Sequence, residues 1–118
     1  MELKQAINRF HHGEKLKSYL ITASGMFAEM TGLKDRELAV AVRLTRAYLE
    51  QVRGELRMAA YLAELPRLSE VEARIKSAVW EAHINRPTEA NRLMGEAISL
   101  VVSGLEEATQ YLKDRSLI

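Results

Sequence analysis

The chain has 118 residues, no cysteine, two prolines, and seventeen basic against sixteen acidic side chains; that is enough for one domain whose core needs no covalent staple. The lack of cysteine excludes a disulfide framework, a thiolate metal site and a cysteine nucleophile, and fits a reducing compartment, so a cytoplasmic location is expected. A net charge of +1 excludes a global field drawing the chain onto nucleic acid or anionic lipid, and no apolar leader or run of about 18 apolar residues indicates export or a membrane contact.

Ala, Leu, Glu and Arg are abundant and aromatics are few. Unbranched side chains lose little entropy in a helix, and Ala, Glu and Lys are depleted in strands, so the composition predicts an all-α fold. In the first third, Leu3, Ile7 and Phe10 form one apolar stripe, and Leu16, Leu20, Ala23, Phe27 and Met30 form another. Between Phe10 and Leu16 the facing direction rotates by about 120°, so the two stripes do not align. Gly13, directly after His11 and His12, is a poor helix-interior residue and a good terminator. The expectation is a break or kink at His11–Gly13. Residues 1–13 are then a short extra helix or arm, and residues 14–115 the bundle of a single domain.

The histidine pair raises the question of metal or proton-transfer chemistry. Adjacent helical residues point about 100° apart, so His11 and His12 do not readily share one ion, although His11 and Glu14 meet at i and i+3. None of His11, His12 or His83 follows a glutamate by three positions, as a helical di-iron site requires, and there is no His-Glu-x-x-His. A phosphocarrier or metal-dependent enzyme built on His11 or His12 is the weakest functional reading. No catalytic residue, metal ligand or cofactor site is assigned.

Thr31-Gly32 supplies a left-handed stop, and Asp35 is placed to cap the next helix. From Asp35 to Glu64 the residues Leu38, Val42, Thr45, Leu49, Val52, Leu56, Ala59 and Ala63 alternate spacings of four and three, the seam of a helix packed nearly parallel to a neighbour. Such a helix extends about 45 Å. Its excess length predicts an overhang whose free seam invites a second copy, hence a homodimer with this helix and the N-terminal arm in the contact. Arg36, Arg43, Arg46, Arg53 and Arg57 fall on one flank of the seam as a basic stripe interrupted by Glu50. The stripe suits phosphate tracking, a dock for an acidic partner, or plain solvation.

Pro66 ends this helix. Ser69 with Glu72 reads as a capping box and Leu68 with Ala73 as a hydrophobic staple, opening a third helix from Ser69 to Ile84. Its core stripe is Val71, Ile75, Ala78 and Ala82, whereas Trp80 falls near Ala73 and Ile84 on another side. Either a neighbouring helix buries Trp80 or it anchors an interface together with Ile84, and Phe10 is a further candidate anchor. Asn85 to Thr88 is a turn, and a fourth helix from Glu89 to Lys113 carries a broad stripe including Met94, Ala97, Val101 and Leu105. Asn85 to Leu100, through Glu89-Ala90, Ala97 and Leu100, resembles the turn and second helix of a tetratricopeptide-type hairpin. No second copy follows at a fixed period, so the resemblance implies a helical hairpin and nothing further.

These elements predict an antiparallel up-down four-helix bundle with a short extra N-terminal helix or arm. No phosphate loop, G-x-G-x-x-G, G-x-S-x-G or Asp-rich cation loop is present. The leading functional expectation is a non-catalytic interaction or assembly module that associates with itself or with a protein partner. The alternative is a small nucleic-acid-binding subunit using the Arg stripe.

Overall fold

The computed structural model describes residues 1–118 as four helices: α1 (Leu3–Glu29), α2 (Asp35–Leu62), α3 (Leu68–His83) and α4 (Pro87–Asp114). They form an antiparallel up-down bundle in which each helix packs on its two ring neighbours, within an envelope of 52 × 22 × 17 Å. No helix is long and apolar enough to cross a membrane.

α1 runs without interruption through His11–Gly13, so the expected break is not there and residues 1–13 are not a separate arm. The reason lies in which stripe is the core. Ala6, Arg9, Gly13, Leu16, Leu20, Ala23, Phe27 and Met30 alternate spacings of three and four along the whole helix. All of them are buried except Arg9, which is half-buried. Leu3 and Ile7, read as a core stripe, are exposed. Gly13 faces α4 directly: a Cβ there would meet Leu105, with Cγ 2.7 Å away. The glycine admits a neighbouring helix and does not end its own. Arg9 holds its seam position by donating from Nε to the Ala63 carbonyl at 3.3 Å, where α2 ends.

Small residues draw α4 against both neighbours. Ala6, Gly13 and Ala23 of α1, Ala78 and Ala82 of α3, and Ala90, Ala97 and Ala108 of α4 are all buried. α2 contributes larger groups, Leu38, Leu49, Val52 and Leu56, and closes the ring from the other side. Its whole seam faces inward, with seven of its eight positions buried and Val42 half-buried. The seam is therefore covered within the chain and is not a free overhang. A core of 23 buried residues fills the bundle, while Ala6, Ala108 and Leu112 form a small separate cluster against Phe10 and Tyr111.

The connections follow backbone chemistry more than side-chain capping. Gly32 (φ 90°) and Asn85 (φ 64°) take the expected left-handed stops. After α3 the Arg86 amide donates to the Glu81 carbonyl at 2.8 Å and the Asn85 amide to Ala82 at 3.1 Å, the paired bonds of a Schellman ending. The capping box does not form. α3 starts one residue earlier, after a left-handed Arg67, and no side chain caps it; the Glu72 carboxylate is engaged by Arg53 instead. Lys34 and not Asp35 is the cap residue of α2, again without a side-chain bond. Pro87 is the first residue of α4, where its missing N–H costs nothing.

Candidate functional site

Two residues on from each inward position of α2 lies a second series: Val40, Leu44, Ala47, Gln51, Gly54, Met58 and Tyr61. A step of two residues turns the helix by about 200°, so this series occupies the opposite face. All seven are exposed and none is charged. Leu44 is 61% exposed, Met58 53% and Tyr61 85%. The towards-α1 flank of this face is tied down, with Tyr48 Oη donating to the Tyr19 carbonyl at 3.3 Å and Lys15 paired to Glu55 at 3.5 Å. At Gly54 an added Cβ would meet nothing within 4 Å, so no packing inside the chain calls for glycine there.

The five arginines lie on the α3-facing flank, but they are not equivalent. Arg53 is bound: Nη2 lies 2.8 Å from Glu72 Oε1 across the helix interface, and Nη1 3.0 Å from Glu50 Oε1. The hydrogen bonds from Arg53 hold the Glu72 carboxyl below its ordinary range, and those from Glu72 and Glu50 raise the guanidinium. Arg36, Arg43 and Arg46 enter none of the bundle's ion pairs. Together with Asp35, Val40 and His83 they line a shallow groove of about 680 Å³ between the first half of α2 and the end of α3. Arg57 lies outside it. The stripe is thus divided by the Arg53–Glu72 pair into one three-arginine group and one isolated residue.

Trp80 is 59% exposed and Ile84 41% exposed, so no helix of this chain covers the tryptophan. The Trp80 ring lies 5.7 Å from that of His83, tilted by 34°, which brings it to the edge of the arginine groove. Phe10 is at the other end of the bundle, half-buried in a groove with Ile7, Leu112, Leu117 and Ile118. The three anchors named from sequence therefore do not share a surface.

His11 and His12 touch edge to face, with ring centroids 5.1 Å apart. Burial, followed by the charges of His11 and Lys15, lowers the His12 pKa, and Glu55 opposes the shift. No three His, Asp or Glu side chains converge in a way that holds a metal ion.

Sequence reasoning missed the outer stripe and the part played by His83. The stripe has the same four-three alternation as the inner seam, but Ala47, Gln51 and Gly54 at its centre hide it from a search for large apolar groups. His83 stands far from the arginines in sequence and joins them only because α3 ends beside α2. Comparison with protein-family models, with curated proteins and with solved structures finds no significant match to this chain.

Proposed function

We propose that the protein is a non-catalytic helical assembly module, cytoplasmic as its lack of cysteine suggests, that pairs with a second copy through the outer face of α2. The observation that carries this reading is the uncharged exposed series from Val40 to Tyr61, about 32 Å long at 1.5 Å per residue. Monomeric surfaces rarely leave large apolar groups in a continuous row. The series is also nearly symmetric in size about Gln51. An antiparallel two-fold pairing sets Ala47 against Gly54, Leu44 against Met58 and Val40 against Tyr61, so small residues meet at the centre and large ones on either side. Isologous contacts require this self-complementarity.

One pair of helices covers an area at the lower end of specific interfaces, so association depends on concentration in the micromolar range or above. The same pairing brings Arg43 towards Arg57 on the flank, and salt that screens them strengthens it. Sedimentation velocity over a concentration series tests the reading. The wild-type chain is expected to move from one to two chain masses, and Met58→Asp to stay at one. Ile21→Asp, an equally exposed site on α1, is expected to associate like wild type. A wild type that stays at one chain mass up to several hundred micromolar removes the proposal.

A further inference from the structure

We propose that the groove between the first half of α2 and the end of α3 binds a short stretch of single-stranded nucleic acid, its phosphates on Arg36, Arg43 and Arg46 and a base against Trp80. Three guanidinium groups without carboxylate partners stand together along one flank of α2, while of the two other stripe members Arg53 is neutralised by Glu50 and Glu72 and Arg57 stands alone outside the groove. An arginine that serves only to solvate a helix face commonly takes an i,i+3 or i,i+4 glutamate, as Arg67 and Arg92 do here. Arg36 and Arg43 have no glutamate at those spacings, and Glu50, four residues on from Arg46, is paired with Arg53 instead. Guanidinium binds phosphate oxygens through paired N–H donors.

The second observation is the ring pair. Trp80 is the sole tryptophan, more than half exposed and backed by His83, itself a groove residue. Unspecific single-strand binding combines a cationic track with an aromatic face on which a base stacks. Here the two are linked through His83, which lies against the Trp80 ring and lines the arginine groove. An acidic protein partner would use the arginines but has no need of a flat exposed ring beside an imidazole.

The extent of the track sets the ligand. Arg36 to Arg46 spans about 15 Å along the helix, Asp35 stands in the groove, and the whole chain has a net charge of +1. Two to three phosphates are all it can neutralise, too few to follow a duplex. With a slope of about −0.7 per phosphate, affinity falls roughly tenfold between 50 and 200 mM salt. Below the concentration at which α2 pairs the groove stands free in the single chain, whereas in the pair Tyr61 of the second copy comes against Val40 at its edge; Met58→Asp, which stays single, is therefore expected to bind at least as tightly as wild type.

Trp80 fluorescence is a direct readout. Titration of the full chain with a ten-nucleotide single strand, RNA or DNA, at 50 mM salt is expected to quench the tryptophan in step with the anisotropy of a labelled strand. The double variant Arg43→Glu, Arg46→Glu is expected to lose at least tenfold in affinity, and Arg57→Glu and Arg67→Glu to lose little. Trp80→Ala is expected to weaken binding severalfold with the salt slope unchanged. All these sites are exposed, and far-UV circular dichroism verifies the fold of each variant. No quenching with either strand, equal affinity in the Arg43→Glu, Arg46→Glu variant, tighter binding of the matching duplex, or preference for polyglutamate overturns the proposal.

Discussion

The backbone of α1 at Gly13 receives the side chain of Leu105 from α4, whose Cγ lies 2.7 Å from the position a Cβ would take. Helix propensity favours alanine over glycine by up to about 1 kcal/mol, and overpacking costs about 1–3 kcal/mol. The steric term wins, because the atoms in the way belong to a buried leucine on a packed helix. Gly13→Ala is therefore expected to destabilise the bundle by about 1–2 kcal/mol. Gly25→Ala and Gly95→Ala, where a Cβ meets nothing within 4 Å, are expected to stabilise it by about 0.5–1 kcal/mol each. Thermal melts of the three variants should show midpoints moving in opposite directions.

Gly54 divides these effects between two states. It has the same open surroundings in the single chain, so at low concentration Gly54→Ala is expected to raise the melting midpoint as the other two do. In the proposed pair, glycine allows close approach opposite Ala47. A larger Gly54→Leu replacement is expected to leave the single chain stable and to abolish association, as read by sedimentation.

The Arg53–Glu72 bridge joins α2 to α3 with both side chains largely shielded. Glu72→Gln is expected to cost on the order of 1 kcal/mol at neutral pH. Because Arg53 lowers the folded carboxyl's pKa, the contribution is fully present above the ordinary carboxylate value of 4.5 and is lost as pH falls through the depressed one. The stability gap between wild type and Glu72→Gln, measured by urea unfolding, should be constant from pH 8 to about pH 5 and close below pH 4.

His12 sets a second window. Its folded pKa lies below 6.5, chiefly through burial. On acidification the unfolded chain takes the proton first, so stability falls with pH below about 6.5 until the folded imidazole is also protonated. Relative to His12→Gln, the wild-type chain is expected to lose stability between pH 7.5 and 5.5. Urea midpoints at the two pH values check this.

Most of the architecture is legible in the amino-acid sequence. The four-three alternation of Leu38 to Ala63 marked α2 to within two residues, and Asn85 and Gly32 marked their turns because few residues accept left-handed geometry. What stays hidden is of two kinds, small seam residues and long-range partners. Gly13 and Ala6 look like interruptions when core is equated with bulk, yet small residues at seam positions are what a close helix approach needs. The capping box at Ser69 and Glu72 was outcompeted by a long-range partner, Arg53, which local sequence does not reveal. The Arg stripe was visible in full, but which of its members are neutralised depends on where α3 lies.

α3 is sixteen residues long, while its neighbours in the ring have twenty-eight. The first turns of α1 and the last turns of α4 consequently run on past it, held by Ala6, Ala108 and Leu112 instead of the main core. A bundle built this way does not open uniformly. Amide protons of residues 4–11 and 107–113 should exchange with solvent well before those around Leu20, Ile75 and Met94, making that end the hinge at which the chain loosens first.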